Sequence, residues 1–201
     1  MLHDDIQPAA AWPNQIPGAR RSWLAELERV DIALYGAIAG TPTPALDRSM
    51  RSLSDAANYS RLSIASATVL ALTGGAAGRR AAIYGMASVA VTATVVNVAI
   101  KPLSRRRRPD RVAEHVPANR HVRMPLSTSF PSGHSAAAFA FATGVGHVMP
   151  TVAIPLRALA ALVAYSRVHT GVHYPGDVIG GSLIGGALAQ MTARVLEHQG
   201  R

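Results

Sequence analysis

His173 and Asp177 stand four residues apart. At a helix start that spacing lets the carboxylate reach one imidazole nitrogen, which fixes the tautomer and leaves the other nitrogen free to attack an electrophile. Just upstream is the pair Ser166-Arg167, and earlier the stretch Pro131-Ser132-Gly133-His134 leads into an apolar run. Ser132, Gly133 and His134 therefore open a helix, and a helix start presents unpaired N–H groups and partial positive charge suited to phosphate. Gly133 lets the backbone come close to such a ligand. Lys101, the only lysine among twenty basic residues, precedes Arg108-Pro109 by seven positions. Arginine offers phosphate oxygens a planar fork, and lysine a mobile point charge. Together these types predict phosphoryl transfer. His173 attacks phosphorus, Asp177 orients it, and His134 protonates the leaving alkoxide as general acid. Lys101, Arg108 and Arg167 stabilise charge on the equatorial oxygens. Asp177 and Asp110 are the only acids nearby, too few for a two-metal site, so no metal and no cofactor is expected.

These residues are far apart in the chain, so helices must bring them together. Runs without formal charge occupy 62–78, 81–100, 135–156, 158–166 and 178–193, the fourth extending back to about 151. A spanning helix needs about 20 apolar residues, and the runs predict a polytopic, all-α membrane bundle. Glycines and small residues recur within the last run, at Gly180, Gly181, Ser182, Gly185 and Gly186. Small residues let membrane helices approach closely. If the helices alternate, 81–100 ends at Lys101 on one face and the loop 101–131 stays there. The next helix descends from Ser132, a turn at 150–157 lies on the opposite face, and the return helix climbs to Arg167. The connection 168–175 then remains on the first face. Lys101 with Arg108, Ser132-Gly133-His134, Arg167, and His173 with Asp177 thus meet at one end of the bundle.

Composition bounds the rest. The chain has 201 residues, only 15% of them charged, a net charge of +9 and no cysteine. Disulfides and thiolate metal sites are excluded. The excess of positive charge suits nucleic acid, an anionic membrane surface or a phosphorylated substrate. Residues 1–18 lack the basic start and apolar centre of a signal peptide and are expected to be a disordered tail. Residues 19–201 are expected to form a single helical domain. Its first elements are an amphipathic helix over 22–38 lying on or capping the bundle, a break at Thr41-Pro42-Thr43-Pro44, and a second amphipathic helix over 45–58.

The motifs resemble those of the type 2 phosphatidic acid phosphatase superfamily: Lys101, six residues, then Arg108-Pro109; Pro131 to His134; and Ser166-Arg167, five residues, His173, three residues, Asp177. The resemblance covers about 81–193. It implies a vanadium chloroperoxidase-like core, commonly with six membrane helices, that removes phosphate from lipid phosphates. It also implies His173 as nucleophile, His134 as acid and Asp177 as its partner. Lys101, Arg108, Ser132, Gly133 and Arg167 become the phosphate ligands. The expected partners are a lipid phosphate substrate and the bilayer of a cell membrane, with no nucleic acid. Candidate substrates are phosphatidic acid, phosphatidylglycerol phosphate, a polyprenyl diphosphate and a polyprenyl-linked phosphoribose. The arginine-rich composition suggests a bacterial gene.

Two other readings compete. One is a non-enzymatic binder of anionic lipid or nucleic acid that uses the arginine-rich loop. The other is a vanadium haloperoxidase, since vanadate fits the same cage. Arg105, Arg106 and Arg107 are surplus to the chemistry and are expected on lipid headgroups or in solvent. His169 lacks the aspartate spacing of His173, His147 is expected near the opposite surface, and Asn97 is placed to bond either Lys101 or a neighbouring helix.

Overall fold

A computed structural model describes residues 23–199; the expected tail at 1–18 lies outside them. The described residues form helices and no strand: α1 (Trp23–Gly40), α2 (Pro44–Ala56), α3 (Arg61–Thr73), α4 (Gly75–Thr94), α5 (Lys101–Leu103), α6 (Gly133–Gly146), α7 (Pro150–His169) and α8 (Pro175–Gln199). A widened helical turn, Val95–Ile100, joins α4 to α5, so 75–103 is one continuous rod. The break before α2 falls where the prolines put it, with Pro44 at the first helical position, where its missing N–H costs nothing.

Two of the apolar runs differ from expectation. The run 62–78 is not one helix. Gly74 ends α3, and Gly75, at φ +59°, turns the chain into α4, so Arg79 and Arg80 lie inside α4 rather than in a connection. The run 135–156 is also divided. Residues 147–149 make the turn, and 150–157 are the first two turns of α7 rather than a connection. Pro150 is again at the helix start. α3 and α6, at 13 and 14 residues, are about 20 Å long, short of the ~30 Å hydrocarbon core. Two helices are long and apolar enough to cross a membrane, 75–103 and Pro150–His169.

α6 is the central helix, packed by α4, α7 and α8. The seam with α8 depends on missing side chains. A Cβ on Gly181 would lie 2.5 Å from the Ser132 carbonyl oxygen, and one on Gly185 would lie 2.1 Å from that of Ala136. Gly186, one residue on, has nothing nearer than 3.9 Å. Gly185→Ala is therefore expected to destabilise the fold by about 1–3 kcal/mol, because backbone must move. Gly186→Ala should be neutral or slightly stabilising, since alanine is the better helix former. Thermal unfolding in detergent checks this, and equal midpoints for the two variants would contradict the packing.

The distribution of side-chain size supports a bilayer as solvent. The buried apolar residues are mostly alanine and valine, whereas Leu72, Val98, Leu183, Ile154 and Met191 face outward. Large apolar groups spread over the outside suit hydrocarbon, and their small partners inside allow close helix approach. α1 follows the same rule. Trp23, Leu27, Val30 and Leu34 make an exposed apolar stripe, while Tyr35 and Ala39 pack inward. α1 thus lies on the bundle as expected, but with apolar side chains facing out.

Candidate active site

The loop 104–132, the end of α7 and the start of α8 close over one rim of the bundle, and the four predicted clusters arrive there. His173 is 1% exposed. Its Nδ1 lies 3.4 Å from Asp177 Oδ2, and its Nε2 lies 3.1 Å from an Arg108 Nη1. A guanidinium can only donate, so Nε2 accepts and the ring proton is on Nδ1, facing the carboxylate. That is the tautomer a nucleophilic Nε2 requires. Burial pushes the His173 pKa down to about 4; the Asp177 hydrogen bond opposes this, and the charges of Arg108 and Arg167 reinforce it.

Arg108 is fixed by the Ser127 and Val172 carbonyl oxygens, both at 2.8 Å. Lys101 Nζ donates to Ser127 Oγ at 3.0 Å, and the same hydroxyl takes an Arg108 Nη2 at 3.3 Å. One serine oxygen therefore sits between two cations. Arg167, in the last turn of α7, is 1% exposed and donates to Ser54 Oγ at 2.6 Å; its Nε is buried without a partner. Among the described residues Lys101, Arg108 and Arg167 form no ion pair, although Arg106 and Arg120 of the same rim each hold a carboxylate. Arg111, half-buried on the same loop, also has no carboxylate among the described residues and donates instead to the Gly171 and Val122 carbonyl oxygens.

Ser132 caps α6. Its Oγ accepts from the Ser135 N–H at 3.4 Å and from Ser135 Oγ at 3.0 Å. Its own N–H is given to the Asp177 carbonyl at 2.9 Å. The N–H groups of Gly133 and His134, first in the helix, have no acceptor within it. A Cβ on Gly133 would stand 3.7 Å from Lys101 Nζ. His134 Nε2 lies 2.9 Å from Asn58 Oδ1, and the charges of Arg167, Lys101 and Arg108 all act on the ring, as does His173. A cavity of about 190 Å³ opens beside Lys101, Gly133 and His134, walled by Leu62, Val96, Ala137 and Val163. Of the eight predicted residues Lys101, Gly133 and His134 line it, whereas His173 is buried outside the lining with Arg108 against its ring. All eight predicted residues thus gather at one rim.

Four other residues differ from or refine the sequence reading. Arg106 is neither solvated nor free for headgroups. Its Nη1 lies 2.9 Å from Asp177 Oδ1, its Nη2 lies 2.5 Å from Asp31 Oδ2, and its guanidinium lies over the Tyr174 ring. His169 is 3.1 Å from Asp47, which also binds the fully buried Arg120 at 2.7 Å, a separate cluster joining α2, α7 and the loop. Asn97, within the widened turn, bonds back to the Ala93 carbonyl at 2.8 Å rather than to Lys101. His147 lies near Glu197 at the opposite end. Asp31, Asn58, Ser54, Ser127 and Ser129 were not foreseen, and none carries a spacing signal that marks it.

Fold and rim together set three cations without carboxylate partners among the described residues around a buried histidine on a helical bundle. A profile of the PAP2 superfamily matches residues 81–201, more than half of the chain, and the chain belongs to that superfamily. Decaprenylphosphoryl-5-phosphoribose phosphatase of Mycobacterium tuberculosis is 37% identical over 110 residues, which is 53% of this chain and 56% of that protein. Lipid A 1-phosphatase of Rhizobium etli is 39% identical over 72 residues, 36% of this chain and 31% of that protein. The chain thus spans about half the length of the first of these relatives and under a third of the second. Among solved structures, Aquifex aeolicus LpxE superposes with a TM-score of 0.67 at 24% identity, covering 82% of this chain and 95% of that one. A PAP2-type phosphatidylglycerolphosphate phosphatase from Bacillus subtilis gives 0.64 at 24% identity, over 86% and 87%. These two likenesses establish the fold.

Proposed function

We propose that the chain is a multi-pass membrane phosphatase that hydrolyses a phosphomonoester or diphosphate lipid through a phosphohistidine, with 19–201 acting as one domain. The observation that carries this reading is the set of three cations without carboxylate partners around a tautomer-fixed histidine. Leaving Lys101, Arg108 and Arg167 unpaired at a buried rim is costly unless an anion neutralises them. A phosphate group does so with oxygens that accept better than the Ser127 hydroxyl.

In this reading the phosphate displaces Arg108 from Nε2 and is held by Lys101, Arg108, Arg167 and the N–H groups at the start of α6, beside Ser132 and Gly133. His173 Nε2 forms a bond to phosphorus as the ester bond breaks, and His134 gives its proton to the departing oxygen. Water then attacks the phosphohistidine and passes its proton to His134, which restores both rings. Asp177 keeps the Nδ1 proton of His173 in place and balances the positive ring. The chain supplies all the positive charge these steps need. The outward apolar side chains and the apolar wall of the cavity support a lipid substrate. Among lipids, the 110-residue match to decaprenylphosphoryl-5-phosphoribose phosphatase favours a polyprenyl-linked phosphosugar.

Phosphate release from a panel of lipid phosphates in detergent tests the reading. Release without added metal, in the presence of chelator and blocked by vanadate, is expected. No release from any member would defeat it. The pH profile gives a second expectation. A histidine held down to about 4 stays neutral at pH 5, where an ordinary one would be mostly charged. The acid limb of kcat/KM, corrected for the substrate's own ionisation, should therefore fall near pH 4 to 5. A limb at about 6.5 would show that His173 is not held neutral by its surroundings.

A further inference from the structure

We propose that Arg106 and Asp31 are positioning residues that hold the carboxylate plane of Asp177, and through it the ring of His173. The inference rests on His173 as nucleophile.

Asp177 divides its two oxygens unequally. Oδ2 accepts from the Tyr174 N–H at 2.9 Å, from Ser129 Oγ, and from His173 Nδ1 at 3.4 Å. Oδ1 has the Arg106 guanidinium at 2.9 Å. The contact to His173 is the longest of these, so a small rotation of the carboxylate breaks it first. Arg106 opposes that rotation only if it is itself fixed; two contacts of its own fix it, and a third anchors its partner Asp31. Asp31, from α1, takes its other terminal nitrogen at 2.5 Å. Its Cζ lies over the Tyr174 ring, 4.4 Å from the ring centroid. The second oxygen of Asp31 accepts the Gly176 N–H at 2.6 Å, which ties the pair to the first turn of α8. A Cβ on Gly176 would stand 2.8 Å from Asp31, so this approach needs the glycine. Arg106, Asp31 and Asp177 have side-chain exposures of 22%, 13% and 0%, which limits screening by solvent.

A fork is required here. One guanidinium spans two carboxylates with separate nitrogens, which an ammonium cannot do in the same geometry. Asp31 also neutralises Arg106, so this arginine does not join the three unpaired cations as a fourth phosphate ligand.

The test compares Arg106→Gln, Arg106→Lys, Asp31→Asn and the Arg106→Gln/Asp31→Asn pair, assayed for phosphate release in detergent. Arg106→Gln is expected to lower kcat by about 10–100-fold with KM within about threefold, as for other groups that orient a reacting side chain. The double variant should be no worse than Arg106→Gln alone, since both remove one unit. Losing the cation leaves the Asp177 charge less balanced, raises the proton affinity of His173, and moves the acid limb of kcat/KM to higher pH. A strap that only stabilised the fold would lower activity equally at every pH; an unmoved limb overturns the proposal. Arg106→Lys keeps charge and stem, and a fall in kcat at an unchanged thermal midpoint is expected even if the glutamine variant does not fold. Parent-like kcat in both Arg106→Lys and Asp31→Asn also overturns it. Activity in His173→Ala would remove the underlying assignment, whereas an inactive His173→Ala beside parent-like strap variants removes the strap alone.

Discussion

Replacing His173 by alanine is expected to lower phosphate release at least about 10³-fold, the scale on which covalent catalysts lose a nucleophile. The ring is 1% exposed and its Nε2 faces Arg108 rather than a carboxylate. The variant removes the attacking atom and leaves the three cations in place, so substrate should still bind. A second observation accompanies the rate. The parent protein, quenched in base during turnover of labelled substrate, should retain label on the chain in an acid-labile bond, and His173→Ala should not. Turnover within tenfold of the parent, or label retained by the variant, would move the nucleophile elsewhere.

Lys101→Ala is expected to cost about 10²–10³ in kcat, comparable to losing one donor that stabilises developing oxyanion charge. Lys101 Nζ reaches Ser127 Oγ at 3.0 Å, beside Gly133 and at the edge of the cavity. Among the described residues it holds no ion pair, so the folded protein should be extractable in normal yield. Lys101→Arg should recover only part of the loss, because a planar fork on a longer side chain does not place one charge at the same point. Activity near the parent level in Lys101→Ala would defeat the assignment.

The helical class and the convergence of Lys101, Arg108, Ser132, Gly133, His134, Arg167, His173 and Asp177 could be read from the sequence. Their types constrain the chemistry, and alternation of helices alone forces them to one end. Helix limits were less legible. Hydropathy does not register the turn at Gly74-Gly75, so 62–78 reads as one run, and the run 135–156 hides the turn at 147–149, although the fourth run, extended back to about 151, does place the start of α7. The partners of the site residues were hidden for a different reason. Asp31 and Arg106 are 75 positions apart, and Asn58 and His134 76. No periodicity links such pairs, and a run of four arginines does not disclose which member faces a carboxylate. Arg106 was distinguishable from Arg105 and Arg107 only once α1 was in place.

The wall of the cavity has a consequence for how the chain can change. The proposed reacting groups and phosphate ligands lie from Lys101 onward, but Tyr59, Ser60, Leu62 and Ser63 border the cavity beside Lys101 and His134. Substitutions there can re-aim the molecule at another headgroup or tail while the reacting atoms stay untouched. The α6–α8 seam, closed by backbone against glycine, offers no such freedom. Part of the cavity wall is thus encoded ahead of the proposed reacting residues, and that part can drift without dismantling them.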